Sequence, residues 1–221
     1  MKVQSTTIPS ISIESNSKTA IKDAENALTT IKRGTNGRAL LDHLESFSQK
    51  GNRVKIFVAP RGGNMRNETR AVDDIDSPGS DNKNAIRNAS KSILGFSGKG
   101  ASAIVEWNPS KSLVLSPSGV PIGREDNIDK AYLSLGHELV HAYYIGNGKY
   151  KGGGGHEGFQ PGTRSAEEEL RAVGLGKWAG EPISENGIRA DHKETMRTAY
   201  PLSQDENERL NDFDPTARYN G

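Results

Sequence analysis

Apolar residues recur every three or four positions over much of the first fifty residues, with one interruption at RGTNGR. The residues before the interruption are Ile21, Ala24, Leu28 and Ile31, and those after it are Leu40, Leu41, Leu44 and Phe47. This period is typical of amphipathic helices, and a glycine-rich interruption breaks a helix. We therefore predict two helices that pack against each other.

Short apolar segments predict three strands farther along the chain. Residues 54–59 read VKIFVA, residues 101–109 read ASAIVEWNP, and residues 112–117 read SLVLSP. Runs of this length and composition are typical of strands, and the second and third are predicted to be adjacent. Residues 60–90 are rich in Gly, Asn, Asp and Arg and are predicted to form a long loop region.

The pattern becomes helical again in the second half of the chain. Apolar positions follow helical spacing from residue 126 to residue 145, and a further helix is predicted to begin at Ser165. Residues 202–221 are predicted to form a polar C-terminal tail, because they offer little surface to bury. Residues 1–17 lack the apolar region of a signal peptide and are predicted to be a disordered secretion leader. Residues 18–201 would then form a single domain.

Charge and composition narrow the function classes. The 221 residues include 29 basic and 28 acidic side chains, and a net charge of +1 creates no overall field that would attract nucleic acid. No apolar run approaches about eighteen residues, so no integral membrane segment is predicted. The absence of cysteine excludes disulfides, thiolate metal ligands and a cysteine nucleophile. Histidine and carboxylate side chains therefore remain as candidate metal ligands.

The strongest chemical signal is the stretch HELVH at residues 137–141. On a helix, His137 and His141 share one face and can present two imidazole nitrogens to one cation. Glu138 lies beside the first ligand, and from there its carboxylate can take a proton from a water that the metal activates. The alternative is a helix whose histidines only cap or pack, but five histidines in the chain make a chance match rare. We therefore predict a Zn²⁺ site that supports hydrolysis.

Zinc needs a third protein ligand, and the position of that ligand separates the subclasses. The metzincin pattern requires glycine and histidine three and six residues after His141, where this chain has Tyr144 and Asn147. That subclass is excluded. His156 lies in the glycine run KGGGGHEG, where fixing a ligand would cost much chain entropy. We interpret this run as a mobile lid over the cleft.

Three consecutive glutamates, Glu167, Glu168 and Glu169, offer the missing carboxylate. The buried face of the predicted helix is defined by three apolar residues, Ala166, Leu170 and Val173. Glu169 shares that face and points inward. Glu168 occupies the third helical position after Ser165, where a capping-box carboxylate bonds back to the cap. We predict Glu169 as the third ligand and keep Glu168 as the alternative.

The order of these motifs resembles a known family. HELVHA, EEELRAVG, ISENGIR and RTAYP follow one another as in the NleD-like type III secretion effectors, which are zinc metallopeptidases, and members of the plant-pathogen XopG kind are similar. The order of HELxH, EELR and R-x-x-Y is also similar to that of clostridial neurotoxin light chains, which are gluzincin-type proteases. The resemblance covers residues 95–201, and the first 94 residues carry no motif that matches.

The resemblance implies roles for six residues: His137, His141 and Glu169 as ligands, Glu138 as general base, and Arg197 with Tyr200 as the pair that stabilises the oxyanion. A guanidinium or a phenol aimed at developing negative charge stabilises the transition state more than the substrate. The spacing of Arg197 and Tyr200 places them on one helical face, although Pro201 restrains Tyr200 from helical geometry.

The fold expected from these elements is α+β and zincin-like, with a small mixed sheet and an active-site helix that carries HELVH at the bottom of a cleft. In zincins an edge strand lines the cleft and pairs with extended substrate. Residues 101–107, ASAIVEW, are our candidate for that strand, although their alternation does not distinguish an edge strand from a core strand.

Three function classes remain in competition. The first is a zinc endopeptidase delivered into the host cytoplasm by the type III secretion machinery, and the resemblance implies host signalling proteins such as mitogen-activated protein kinases as substrates. The second is a zinc hydrolase of another amide bond, because the chemistry of the site does not name the acyl group. The third is a non-enzymatic effector with a structural zinc helix. Glu138 argues against the third, because a structural zinc needs no base and is normally closed by a fourth protein ligand.

Overall fold

The computed structural model of the chain describes residues 1–79, 82–90, 95–152, 160–201 and 204–212. The helices in these ranges are α1 (Lys18–Arg33), α2 (Thr35–Phe47), α3 (Lys83–Ala89), α4 (Ala131–Gly146), α5 (Arg164–Val173), α6 (Glu185–Asp191) and α7 (Gln204–Arg209). The strands are β1 (Lys2–Gln4), β2 (Ile11–Glu14), β3 (Val54–Val58), β4 (Glu68–Val72), β5 (Ser102–Trp107), β6 (Ser112–Leu115) and β7 (Pro121–Glu125). Short 3₁₀ helices span Ser48–Lys50, Gly176–Trp178 and Leu210–Asp212.

Five strands form one mixed sheet in the order β1-β2-β3-β5-β4. The inner pairs β2–β3 and β3–β5 are parallel, whereas β1 and β4 are antiparallel to their neighbours and lie at the two edges. The strands β6 and β7 form a separate antiparallel hairpin. Helices and a mixed sheet in one chain make the protein α+β, as predicted.

Helix α4 is the centre of the packing. It contacts β4 and β5 on the sheet side, and α1, α2 and α6 on the other sides. Trp107 at the end of β5 is fully buried, and its indole N–H donates to the carbonyl oxygen of Ala131 at 3.2 Å, where α4 begins. A helix buried almost all round must be apolar all round except where it carries function. The polar residues of HELVH are therefore held inside the molecule.

Helices α1 and α2 confirm the pair that the first apolar repeat predicts. The side chain of Ser17 accepts a hydrogen bond from the backbone N–H of Ala20 and so caps α1. Gly34 separates the two helices within the interruption RGTNGR. The first turn of α2 is held by the carboxylate of Asp191, which accepts from the backbone N–H of Gly37 at 2.9 Å. This contact ties α2 to α6, the helix next to α4.

The disorder predicted for residues 1–17 is wrong. Residues 2–4 and 11–14 form β1 and β2, and Ile11 and Ile13 are fully buried. Pairing of β2 with β3 satisfies the backbone hydrogen bonds of this segment, and the two isoleucines add apolar area to the core. The segment looked unstructured because its apolar residues are few, although they are placed on a strand that the core needs.

The region after β3 also differs from its prediction. Residues 60–90 contain the strand β4 and the helix α3, and the prediction of one long loop missed both. Only a part of β4 faces the core, since Thr69, Ala71 and Val72 are buried while Glu68 is exposed. A strand of mixed polarity at a sheet edge has a weak sequence signal.

Two predictions about neighbouring strands are wrong, because strands that the sequence did not indicate take the neighbouring positions. The strand β5 lies between β3 and β4, so it is an inner strand and not the edge strand that lines the cleft. The strand β6 pairs with β7 and not with β5. At the edge of the sheet that is nearest to α4 lies β4, whose outer side carries no further strand among the residues that the structure describes.

The predicted tail at residues 202–221 is helical in the part that the structure describes. Helix α7 is followed by a 3₁₀ turn in which Leu210 is buried and which contacts β7. Within the described ranges, no helix combines the length and the hydrophobicity that a membrane span needs.

Candidate metal centre

Three donor atoms meet where α4 and α5 face each other. The Nε2 atom of His137 lies 3.2 Å from the Nε2 atom of His141 and 3.0 Å from a carboxylate oxygen of Glu169. The same oxygen lies 3.4 Å from the Nε2 atom of His141. Ligands about 2.1 Å from a tetrahedral zinc are about 3.4 Å from one another, so these separations match the donor set of such an ion. The three predicted ligands are therefore brought together by the fold.

Each histidine is oriented by a carboxylate at its other ring nitrogen. The Nδ1 atom of His137 lies 3.1 Å from Glu185, and the Nδ1 atom of His141 lies 3.3 Å from Glu168. A carboxylate at Nδ1 favours the tautomer that leaves Nε2 free to bind a cation, and it raises the basicity of the ring. Both imidazoles are thus held in the orientation that a metal requires.

Glu168 therefore faces the back of His141 and not the position of a third ligand. It is 1% exposed, and it accepts hydrogen bonds from the backbone N–H of Lys151 and from the guanidinium of Arg171. The capping box predicted for it is wrong, because α5 begins one residue earlier and is capped by Thr163, whose hydroxyl accepts from the N–H of Ala166. Buried carboxylates need such partners, and Glu168 finds them between two elements.

The helical-face argument for Glu169 is correct only in part. Ala166 and Val173 are buried as predicted, but Leu170 is partly exposed. The side chain of Glu169 is 15% exposed and lies at the border of the buried face. From this border its carboxylate reaches both histidines.

Glu185, at the start of α6, is a site residue to which the sequence reasoning assigned no role. It is 3% exposed and accepts hydrogen bonds from Arg197 at 2.7 Å and from Arg189 at 2.8 Å. Burial acts to raise the pKa of this carboxyl, but the two guanidinium groups outweigh it and hold the pKa well below its usual range. Glu185 is therefore an ionised partner of His137. Its position in the motif ISENGIR and the spacing of four to Arg189 were the available signals.

Arg197 and Tyr200 lie in a segment without helix or strand after α6. Arg197 is 6% exposed and donates to Glu185, on the side of His137 away from the three donor atoms. The ring of Tyr200 lies nearly parallel to that of His137, with centroids 6.3 Å apart. Burial, followed by the nearby Glu169 carboxylate, raises the pKa of Tyr200 well above its usual range, so the phenol keeps its proton. The phenol of Tyr200 can therefore donate a hydrogen bond beside the three candidate ligands of the metal.

Glu138 contacts the edge strand of the sheet. It is 7% exposed, and the hydroxyl of Thr69 on β4 donates to its carboxylate at 2.8 Å. Burial raises the pKa of Glu138, whereas the adjacent histidines and the Thr69 hydroxyl act to lower it. The sequence does not identify Thr69 as a site residue, because residues 60–90 are predicted to form a loop region and not the strand β4.

The segment that carries Arg197 and Tyr200 is fixed at two points. The side-chain amide of Asn186 bonds both the N–H and the carbonyl oxygen of Arg197, at 2.8 and 2.9 Å. The N–H of Thr198 donates to the carbonyl oxygen of Gly119 in the β6–β7 turn at 3.0 Å. Gly119 has φ +85°, and a Cβ added there would lie 2.1 Å from the carbonyl oxygen of Met196. A side chain at position 119 would push the segment away from the site.

Gly119→Ala is therefore expected to lower turnover without removing the metal. An alanine at position 119 would have to adopt a left-handed backbone conformation, which costs about 1–2 kcal/mol of stability. Its Cβ would also collide with the carbonyl oxygen of Met196. Thermal unfolding, metal content and turnover should be compared with those of Gly180→Ala. Gly180 has φ +86° but nothing within 4 Å of an added Cβ, so it reports the backbone cost alone. Equal turnover in the two variants would contradict the positioning by the β6–β7 turn.

His156 and most of the glycine run predicted to be a lid, residues 153–159, lie outside the residues that the structure describes. The residues at the start of this run are placed: Lys151 pairs with Glu167, and the hydroxyl of Tyr150 would lie 2.6 Å from a Cβ added at Gly152. The chain therefore passes close to α5 at the start of the run.

Two histidines four residues apart on a helix, a carboxylate on a neighbouring helix and an acidic residue beside the first histidine form an arrangement that is typical of metallohydrolases. The sequence matches the family Peptidase_M91, described as "Effector protein", over residues 10–200. The chain belongs to this family of effector peptidases. The predicted resemblance to NleD-like effectors is confirmed, and the family extends into the first 94 residues, where no motif was recognised.

The fold is similar to two solved structures. The catalytic domain of Clostridium botulinum neurotoxin serotype F aligns with a TM-score of 0.43 and 14% identity, over 86% of this chain and 53% of that chain. The botulinum neurotoxin serotype HA light chain aligns with a TM-score of 0.42 and 17% identity, over 87% of this chain and 54% of that chain. The chain spans about half the length of these proteins. No curated protein sequence matched the chain.

Proposed function

We propose that this chain is a zinc-dependent endopeptidase that cleaves signalling proteins in the cytoplasm of a host cell. The observation that carries the proposal is the geometry of the three donor atoms, 3.0–3.4 Å apart, with Glu138 next to His137 on α4 and near enough for both histidines to act on the pKa of its carboxyl. Membership of an effector peptidase family supports a peptide bond as the target.

The donor set fits Zn²⁺ in both chemistry and size. Two imidazole nitrogens and one carboxylate oxygen are a known ligand set of catalytic zinc, which keeps an open fourth position. His137, His141 and Glu169 are the only group of three such donors that the described residues place within 4.8 Å of one another. When bound there, zinc would supply a Lewis acid that polarises a carbonyl group and acidifies water.

Each residue of the site then has a defined task. Glu138 would accept the proton of the attacking water and pass it to the leaving amine. The phenol of Tyr200 would donate a hydrogen bond to the carbonyl oxygen as negative charge develops on it. Glu185 and Glu168 hold the two histidines in place, and we assign Arg197 to the support of Glu185 instead of to the oxyanion, because its guanidinium donates to that carboxylate.

Extended substrate would pair with the outer side of β4. This strand is the edge nearest to α4, and it carries Thr69 in contact with the predicted general base. An unpaired edge offers backbone N–H and C=O groups that bind an extended peptide by strand addition. The assignment replaces the predicted use of β5, which is covered on both sides.

The test of the proposed function is the appearance of new protein N-termini in a eukaryotic lysate treated with the zinc-loaded protein. A Glu138→Gln control separates cleavage by this site from cleavage by a contaminant. If only non-protein amides are hydrolysed, the protein is an amide hydrolase of another kind, and zinc binding without hydrolysis would indicate a structural zinc.

Delivery into the host cell through the type III secretion machinery is part of the same proposal. Because β2 is buried, the first seventeen residues have to leave the folded core before they can enter a narrow needle. A reporter fused to the full chain should reach the host cytoplasm from bacteria with a working needle. Equal entry from bacteria that lack the needle would contradict this route.

Zinc binding is expected to release protons near neutral pH. Burial acts to lower the pKa of His137, but its hydrogen bonds with Glu169 and Glu185 outweigh burial and raise it to about 9. The pKa of His141 is also raised well above its usual value, because Glu169 and Glu168 outweigh burial. A metal binds only the neutral imidazoles, so about two protons should leave per zinc, and affinity should rise with pH up to the raised pKa values.

Calorimetric titration of the metal-free protein in buffers with different ionisation enthalpies measures this release. Binding enthalpies that do not depend on the buffer would show that no proton is displaced. In that case His137 and His141 are not the ligands, or they are already neutral in the metal-free protein.

A further inference from the structure

We infer that Thr69 is a positioning residue of the reaction: its hydroxyl holds the carboxylate of Glu138 in the orientation that proton transfer needs. The inference rests on the proposed function of Glu138 as the general base. It adds to the site a residue from the edge strand, far from HELVH in the sequence.

The contact is direct and buried. The Oγ1 atom of Thr69 lies 2.8 Å from Oε2 of Glu138 and 3.0 Å from the backbone carbonyl oxygen of the same residue. Thr69 is 7% exposed, whereas Glu68 before it is exposed. A hydroxyl has one hydrogen to donate, so the carboxylate and the carbonyl share it. The hydroxyl lies over the turn of α4 that carries the predicted base.

The position of this donor is fixed by the sheet. Thr69 pairs with Val105 of β5, a fully buried residue of an inner strand. Valine in place of threonine would keep this β-branched shape but lose the hydroxyl. A donor fixed on a strand stays in place when substrate arrives, which is a condition for an aligned catalytic group.

Thr69 is also the sole side chain that donates to this carboxylate among the residues that the structure describes. The carboxylate of a glutamate lies three torsions from the backbone, and without an anchor it samples several orientations. A base that spends little time aligned with the attacking water lowers turnover, although substrate binding is unchanged. Loss of an orienting hydrogen bond at metal sites commonly costs about 10- to 100-fold in activity, and we expect a loss of that size here.

The test compares Thr69→Val with Thr69→Ser and with Thr29→Val. Thr29→Val makes the same chemical change on α1, where the Thr29 hydroxyl pairs with that of Thr7 at the surface. The substrate is a quenched fluorescent peptide that spans a bond mapped with the wild-type protein. We expect kcat of Thr69→Val to fall about 10- to 100-fold while KM and zinc content stay at wild-type values. Thr69→Ser should recover most of the loss, and Thr29→Val should have none.

A second measurement does not depend on activity. In crystal structures, Glu138 should have one side-chain orientation in the wild type and in Thr69→Ser, and more than one in Thr69→Val. If Thr69→Val does not fold, Thr69→Ala and Thr69→Ser give the same comparison. Wild-type kcat together with a single Glu138 orientation in the variants without the hydroxyl would overturn the inference.

Glu138→Gln in the same assay separates this inference from the function on which it rests. Turnover of Glu138→Gln at the wild-type rate would reject Glu138 as the base, and with it the proposed mechanism and any positioning role of Thr69. Low turnover of Glu138→Gln with wild-type kcat in Thr69→Val would reject the role of Thr69 alone.

Discussion

Glu138→Gln is expected to keep its fold and its zinc and to lose turnover by about one hundredfold to ten-thousandfold, the range of a lost general base. Glutamine has the shape of glutamate and can still accept the hydrogen bond from Thr69 at 2.8 Å. It cannot take a proton from water. Because the Glu138 carboxylate is not one of the three donor atoms, zinc content should equal that of the wild type.

The kinetic measurement that checks this result is kcat and KM on the mapped peptide substrate, with zinc content and thermal unfolding of the same samples. KM should remain near the wild-type value, because the change removes a group that acts in the transition state. Low turnover accompanied by lost zinc would mean instead that Glu138 helps to hold the metal.

The second large effect is expected at the three consecutive glutamates, which the fold places in three different environments. Glu169→Ala removes a donor atom, so the purified protein should carry no stoichiometric zinc, show no activity and lose the thermal stabilisation that zinc gives the wild type. Glu167→Ala should change neither zinc nor activity. Its carboxylate forms pairs at the surface with Lys151 and Lys177, and such pairs contribute little.

Glu168→Ala is expected to behave differently from both. It leaves the guanidinium of Arg171 buried without its partner, which costs about 3–5 kcal/mol of stability, several times the cost of a lost helix cap. It also frees the Nδ1 atom of His141, so zinc affinity should fall by about 10- to 100-fold without being lost. Metal analysis and thermal unfolding of the three variants distinguish these outcomes. Full zinc in Glu169→Ala with none in Glu168→Ala would mean that Glu168 is the metal ligand and that Glu169 is not.

The helix and the cluster of the three candidate ligands could be predicted because their signals are local. HELVH places two histidines on one helical face by spacing alone, and the surrounding leucines and valine identify a buried helix. Glu169 could be chosen because it follows Ala166 by three residues on a helix. Glu169 does lie with His137 and His141 in one cluster, although Leu170, which was used to define the buried face, is partly exposed.

The residues that support the site could not be predicted, because their signals are not local. Thr69 contacts Glu138 across 69 positions of sequence, and Glu185 contacts His137 across 48. Neither contact has a spacing that a helix or a hairpin would bring together, and the strand of Thr69 is of mixed polarity. The first contact follows from the order of strands in the sheet and the second from the packing of α6 on α4, and apolar patterns specify neither.

The first residues of the chain show the same limit. Only five of the first fourteen residues are apolar, which favours disorder, yet Ile11 and Ile13 complete the core because β2 joins the sheet beside β3. Strand pairing can recruit a short segment whose own composition is insufficient for folding. The predicted edge strand is wrong for the same reason, because the unpredicted strand β4 pairs with β5 on the side opposite β3.

We propose that this chain cleaves proteins with a zinc ion held by His137, His141 and Glu169. The most direct measurement is mass spectrometry of new N-termini in a eukaryotic lysate treated in parallel with zinc-loaded wild type, zinc-stripped wild type and zinc-loaded Glu138→Gln. We expect a set of new N-termini in the first sample that is absent from the other two and that returns when zinc is added back to the stripped protein. The same N-termini in all three samples, or none in any, would contradict it.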